Sequence, residues 1–487
     1  MLHDDLYAKL KGGNDILSVA FLLGFDGRRT GSYYQGGCPA HGSSGGRCLT
    51  IWPNIQAWKC FHCGQKGDVI DLVMHYKRCD HKTALQFLSE KSGIPCFNGK
   101  ELSPEEIKKT ESDMVEKILV ENMLTEATRW YHSQLNNYPD IINHLTNHYG
   151  FSKNIIDELQ IGFAPVSGEY DGPSALAAHL NSIPEFRGKL SLTGLFSFKN
   201  HTGPYYDYFK GRIVFPYWLN GKVVYMLARA TSITPPDKYE CHTDNQNNIK
   251  KDDRGIHEFI KYKKLRSHDS NDEKRKHFSK YIRNDVFMGE NTVYGSNEII
   301  ITEGAPDWVS AVDKGFKAIS PVTVTFREED FEKLQNLTKN INAIYIINDN
   351  EENEAGLKGA LKTGKYLAQR GRNVFLVMLP KPAGIKKIDL NEYLKDHSAD
   401  DLQKLMTNAK SIIEIMIDGL PQDFLKAQHL IKAEIAPLLT DIDEARLQYY
   451  MKILVRKTKS SVKVIQAEIE AARELKRQQE SAKTFLQ

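Results

Sequence analysis

No stretch of this chain is apolar for long enough to cross a bilayer, and its start, Met1-Leu2-His3-Asp4-Asp5, has neither the basic nor the apolar segment of a secretory signal. A soluble protein with no membrane partner, held in a reducing cytoplasm, is expected. Cysteine is scarce. There are seven in 487 residues, an odd number, which argues against a disulfide-stapled scaffold. An excess of one charge is also missing: 65 Lys and Arg nearly balance 62 Asp and Glu, a net +3, so the whole-molecule field identifies no polyanionic partner. At this length a single core stops growing, and about three domains are expected.

What the chain does carry is a set of metal-type ligands. Cys38 and His41, then Cys60 and Cys63, form a Cys-x2-His and a Cys-x2-Cys pair, with glycine-rich turn sequence after each. Each pair can close a tight turn around one edge of a tetrahedral Zn²⁺. All four positions are filled by protein, so such a site holds structure and does no chemistry. Cys48, Cys79, Cys96 and Cys241 lack partners at ligand spacing, and His62 stands between two ligands without being one.

Periodicity divides the chain into a mixed, multidomain α+β and α/β protein. Residues 1–100 form a zinc-ribbon unit, with strand-like Leu49-Thr50-Ile51-Trp52 and Ala57-Trp58-Lys59 ahead of two helical patterns. Residues 101–116 read as a linker. Within 117–295, helical spacing (Met123, Ala127, Trp130, Tyr131, Leu135) gives way to two strands flanking Asn220-Gly221, a strong hairpin signal. A polar stretch near 237–278 has no clear period and reads as an insertion. From 296 to 397 short apolar strands alternate with helices, the pattern of a buried parallel sheet. From 398 to 487 everything reads as helices. Basic residues concentrate between Lys250 and Arg283, interleaved with aromatics, and again in the last helices. Each patch reads either as a phosphate-tracking surface or as a solvated face.

Chemistry in open parallel sheets collects beyond the carboxyl ends of the strands. Three such ends carry acids: Glu303-Gly304, Asp349-Asn350-Glu351, and Asp389. Converging carboxylates repel one another and resist burial unless a cation neutralises them, and hard divalent ions, Mg²⁺ or Mn²⁺, suit that role.

These residues together carry a family resemblance. Cys-Pro-Ala-His at 38–41, Cys-Phe-His-Cys-Gly-Gln-Lys-Gly-Asp-Val-Ile-Asp at 60–71, Phe-Lys-Gly-Arg-Ile-Val-Phe-Pro at 209–216 and Ile-Thr-Glu-Gly-Ala-Pro-Asp at 301–307 closely resemble a DnaG-type bacterial or phage primase. The resemblance runs from about residue 30 to 450. It implies a TOPRIM fold over 296–397, with metal-binding catalytic acids at Glu303, Asp349, Glu351 and Asp389, and with Asp307 and Asn391 as support. It implies copying of single-stranded DNA into short RNA primers from ribonucleoside triphosphates by metal-assisted nucleotidyl transfer. Lys210, Arg212, Arg229 and Lys280 would then face nucleotide phosphates or template. A replicative helicase and a single-strand-binding protein are the implied partners.

The sequence departs from the family pattern in three places. The usual Asp-x-Asp pair reads Asp349-x-Glu351, followed by Gly356 after an apparent two-residue insertion, so Glu352 or Glu354 could replace Glu351. Lys238-Tyr239 rivals Lys280-Tyr281 as the family's lysine motif. The C-terminal stretch leaves room for one helical subdomain and not evidently for a full helicase-binding domain, so the expectation is a primase of a phage or mobile element, or one that meets its helicase differently. Beside the zinc ligands, Tyr33, Tyr34, Trp52, Trp58, Lys59, Phe61 and Lys66 could stack on unpaired bases and track their backbone, although Trp52 and Trp58 read first as filling the ribbon's small core. Two other functions use the same acids or none: a TOPRIM nuclease, and a non-catalytic single-strand-binding protein with a decayed metal site.

Overall fold

A computed structural model describes all residues except 1, 39–46, 93, 95, 98–99, 102–103, 167–173, 199–203, 220, 274, 283, 294–295, 323–325, 340, 352–354 and 486–487. The chain divides at Glu116, into Met1–Glu116 and Lys117–Gln487. The segment read as a linker is helical from Pro104, within the helix Pro104–Gln134. Among the described residues no helix is long and apolar enough to cross a membrane.

The first unit is built on five antiparallel strands in sequential order, Arg28–Thr30, Tyr33–Gly36, Leu49–Trp52, Ala57–Cys60 and Lys66–Gly67. Their inward side chains Leu49, Ile51 and Trp58 pack on Ile70, Leu72 and Val73 of the helix Val69–Lys77 and on Leu85 and Leu88 of the helix His81–Ser92. Asp68 starts the first of these helices with a reciprocal cap: its carboxylate accepts from the backbone of Ile70 and Asp71, and Asp71 accepts from the backbone of Asp68. The cap fixes where the chain leaves the sheet.

In the second unit the predicted hairpin forms, Arg212–Leu219 against Lys222–Ala230, and it is the middle of a four-stranded antiparallel sheet. Gly162–Ala164 closes one edge and Tyr262–Lys264 the other. The stretch 237–278, read as a polar insertion without clear period, supplies this second edge. Bridges at Cys241↔Phe259, Thr243↔Ile249 and Lys251↔His257 run through the polar stretch, and its far end joins the sheet. Asp244 and Asp252 hold its turns by accepting from backbone amides two and four residues on, so the turns form through side-chain chemistry that periodicity does not register.

What anchors this edge is ionic. Arg212 and Glu240 are fully buried, and the Arg212 guanidinium donates to the Glu240 carboxylate at 2.8 Å and to the Ile260 carbonyl at 2.8 Å. Lys263 reaches the other oxygen of Glu240 at 2.5 Å. One carboxylate thus joins the hairpin, the start of the polar stretch and the edge strand.

The following sheet has the order Ala318–Ile319, Glu298–Thr302, Ala343–Ile347, Val374–Leu376, all parallel, then Lys410–Ser411 antiparallel. Ile299, Ile301, Ile344 and Ile346 pack into one core, while Ile300 and Ile347 face the core shared with the helix Ala305–Asp313. Both faces are covered, which is why the strands read as continuous apolar runs. The strand Lys410–Ser411 corrects the expectation of helices alone after 398; two residues are too few to show a period. Beyond it lie the helices Phe424–Leu430, Glu444–Thr458 and Val462–Phe485 around a core of Ile431, Leu439, Leu454 and Ile465.

Removing Glu240 leaves two cations facing each other without water. Glu240→Ala should lower the unfolding free energy by about 3–5 kcal/mol, the usual cost of breaking a buried ion pair from one side, measured by urea denaturation.

Candidate active site and zinc centre

In the first unit the sulfurs of Cys38, Cys60 and Cys63 lie within 4.8 Å of one another. The knuckle that makes this possible is short: Cys63 N–H points at the Cys60 sulfur at 3.4 Å, Gly64 N–H donates to the Cys60 carbonyl at 3.0 Å, and Gly64 takes a positive φ of 75° to turn the chain. His41, the expected fourth ligand, lies outside the described residues. Three convergent thiols fit a thiolate-rich Zn²⁺ site.

A second imidazole comes from a residue that spacing did not single out. His75, on the helix that follows the knuckle, sets Nε2 3.1 Å from the Cys38 sulfur, with its ring on Trp58 at 4.7 Å. With zinc on Cys38 the thiolate would offer only lone pairs, so this nitrogen would be the donor, placed to orient the ligand. Trp58 is buried in the ribbon core, whereas Trp52 is half-buried between Tyr33 and the exposed Phe61, with the Lys59 ammonium over the Phe61 ring.

In the second unit the parallel register aligns the strand ends. Thr302 lies opposite Ile347, so Glu303 and Asp349 emerge from the same end of the sheet. Asp349 N–H donates to Glu303 Oε2 at 3.3 Å. Gly356 lets the chain fold back here, since a Cβ would stand 2.6 Å from the Asp349 carbonyl. A small antiparallel pair, Asn350–Glu351 with Lys387–Ile388, brings in the third segment. Asp389 follows it, capping the helix Leu390–Asp396 by accepting from Glu392 N–H at 2.7 Å.

Carboxylate oxygens of Asp307, Asp349 and Asp389 come within 4.8 Å of one another. Asp307, expected only as support, is therefore a member of the central trio. It sits in the first turn of the helix Ala305–Asp313, buried, and accepts from Asn391 N–H at 3.1 Å. Asn391 spends its amide on the Tyr149 carbonyl and Ser310 hydroxyl, which makes it the brace of Asp307. Glu303 and Glu351 border the trio. Glu351 is half-buried opposite Lys387 in the small sheet; Glu352 and Glu354 lie outside the described residues.

The electrostatics follow from crowding. Burial, then Asp349 and Glu351, push the Glu303 carboxyl up to about 7. Burial also pushes Asp307 well above the carboxylate range, with Asp389, Asp349 and Glu303 adding to it. Asp349 is raised by burial despite its ion pair with Lys387. A divalent cation would reverse this, holding the same oxygens ionised.

The basic residues are placed unequally. Arg229 lies over the rings of Tyr149 and Tyr262 at 5.2 and 5.1 Å and donates to the Tyr262 hydroxyl. Lys261 was left in the polar stretch by sequence reasoning. Its amine is held below the usual lysine range by burial, then by Arg229 and Lys387, and it feels Asp349 and Asp389. The signal available was its own Lys-Tyr pair, Lys261-Tyr262, whose tyrosine begins the edge strand. Lys280 is exposed with its ammonium over Tyr281, and Lys210 is half-buried at the foot of the hairpin. Arg212 requires a correction: its guanidinium is buried against Glu240 and backbone carbonyls, so it cannot meet template or nucleotide.

Against this geometry, a family model described as CHC2 zinc finger matches residues 2–102, and one described as DNA primase catalytic core, N-terminal domain matches residues 130–253. Together these matches support a DnaG-type primase. A DNA primase of Clostridium acetobutylicum is 23% identical over 472 residues, covering 94% of this chain and 68% of that protein. One of Borreliella burgdorferi is 25% identical over 408 residues, covering 80% and 66%. The chain thus spans about two thirds of the length of these curated relatives. Among solved structures, the Aquifex aeolicus primase, comprising zinc-binding and RNA polymerase domains, has a TM-score of 0.52 at 20% identity, covering 94% of this chain and 98% of that one. A DNA primase domain from Pseudomonas aeruginosa has a TM-score of 0.51 at 19% identity, covering 72% and 99%. The CHC2 match and the three-cysteine cluster support a structural zinc in the primase ribbon.

A carboxyl raised from 4.5 to about 7 binds more protons folded than unfolded, so it makes the fold less stable as pH rises through that window. Without added divalent cations, melting temperature should fall between pH 5 and about 7.5, and Glu303→Gln should flatten that slope. Mg²⁺ or Mn²⁺ should protect the wild type more strongly at the upper end, since the ligand must lose its proton to bind. Differential scanning fluorimetry across pH, with and without metal, checks both.

Proposed function

We propose that this chain is a DNA primase that lays short RNA primers on single-stranded DNA from ribonucleoside triphosphates. The observation that carries this reading is the meeting of Asp307, Asp349 and Asp389 with Glu303, from separate segments, at the carboxyl end of a parallel sheet. Mg²⁺ or Mn²⁺ bound there would lower the pKa of the attacking 3′-hydroxyl and stabilise the leaving pyrophosphate. The chain's own residues supply position and charge. Asp307, Asp349, Asp389 and Glu303 are the metal ligands, with Glu351 bordering them, and Asn391 holds Asp307 in place.

Arg229 and Lys261 take the triphosphate's charge, on the side of the acids that the central sheet supplies. Lys210 and Lys280 serve the template backbone farther out. In the zinc ribbon the exposed Phe61, with Trp52, Tyr33 and Lys59, stacks on unpaired template bases. A replicative helicase and a single-strand-binding protein are the partners beside which such an enzyme works. A nuclease with the same acids would explain the sheet but leave the ribbon and the basic side without a task.

Incubation with single-stranded DNA, labelled ribonucleotides and Mg²⁺ or Mn²⁺ should yield short RNA. Glu303→Gln, Asp307→Asn or Asp349→Asn should each reduce it by about a hundredfold or more. Lys261→Ala should weaken nucleotide use about tenfold, the scale of one hydrogen bond to a charged oxygen. Cleavage of the template with no polymer would overturn the proposal in favour of the nuclease, and binding alone in favour of a non-catalytic protein.

A further inference from the structure

Tyr149 is 4% exposed, yet its hydroxyl is buried with no hydrogen-bond partner among the described residues. Such a group destabilises the fold, and phenylalanine would fill the same slot without it. The hydroxyls of Tyr76 and Tyr131 share that lack, but the charged groups around them, Cys38, Asp26 and Cys48 for Tyr76 and Asp207 for Tyr131, are not members of the acid cluster.

Tyr149 differs in where it is held. It follows a single turn of π-helix, His144–His148, a conformation often kept where a functional side chain must be aimed. Its ring stacks on Phe151 at 5.1 Å and meets the edges of His144 and His148. The Arg229 guanidinium lies 5.2 Å from the ring centre. Its carbonyl accepts from Asn391 at 2.6 Å, and Asn391 in turn donates to Asp307 at 3.1 Å, so the tyrosine is tied to the acid cluster by one intermediary. Burial chiefly, with Tyr262, Asp389 and Asp307 against the opposing Arg229, keeps the phenol protonated and therefore a donor.

We infer that the Tyr149 hydroxyl donates a hydrogen bond to a phosphate oxygen of the nucleotide that the acid cluster receives, alongside Arg229. The inference rests on the primase reading and adds to it a neutral contact that no motif marks. The chemistry selects a phosphate. The donor has no acceptor among the described residues, the neighbouring guanidinium favours an anion, and the carboxylates across the site face one another as candidate cation ligands, with Asp307 held by Asn391.

Tyr149→Phe tests this, because it keeps the ring contacts and the cation-π geometry and removes only the hydroxyl. Three measurements are made on the full chain: melting temperature, equilibrium binding of a fluorescently labelled GTP with Mg²⁺, and KM and kcat of primer synthesis. The expected result is an unchanged or higher melting temperature, nucleotide affinity and KM each about tenfold worse, and kcat within about twofold of wild type. Unchanged affinity and KM would overturn the inference, as would a marked fall in melting temperature, which would show that the hydroxyl serves the fold. If wild-type protein made no primer, the primase reading would fail instead, and the binding measurement would still decide the role of Tyr149.

Discussion

Carboxylates set side by side in a half-buried site repel one another, and much of the second unit is arranged so that they stay together regardless. The parallel register brings Glu303 and Asp349 out at one level, the small two-stranded pair delivers Asp389, and Asn391 grips Asp307 from the helix that Asp389 caps. Backbone amides support the unfavourable proximity, Asp349 donating to Glu303, Asn391 to Asp307 and Glu392 to Asp389. Strain of this sort is tolerated where a cation will relieve it.

The basic side obeys a different logic. Arg212 and Lys263 belong to the same basic sheet that carries Arg229, but they turn inward and share Glu240. The result is rigidity in the edge strand next to Lys261 and Tyr262. Two cations are thus devoted to structure so that a third can be held near the acids, and Arg229 is kept in place by two aromatic faces in addition to its hydrogen bond to Tyr262.

Much of this was legible from the amino-acid order. Continuous apolar runs announced a covered parallel sheet, and the acids just past Thr302 and Asn348 marked the strand ends at which carboxylates converge. Cysteine spacing announced the knuckle. What was not legible depended on contacts between distant segments. Whether Arg212 faces solvent or a buried carboxylate 28 residues away leaves no periodic trace. Asp307 looks like an ordinary helix-start acid until the third segment arrives beside it. Lys261 was hidden because side-chain-capped turns around Asp244 and Asp252 lack hydrophobic alternation, so the ordered polar stretch leading to the edge strand looked structureless. His75 needed the helix to be docked on Trp58 before it could be seen beside Cys38.

The two-residue strand Lys410–Ser411 has a bearing on how the protein could be dissected. It pairs with Phe375 and Leu376, at the outer side of the strand Val374–Leu376. A fragment cut at the apparent start of the helices, near 398, would uncover that apolar margin with its amides and carbonyls bare. Such open margins recruit other chains, so a shortened chain would aggregate even with every acid of the candidate site still in place.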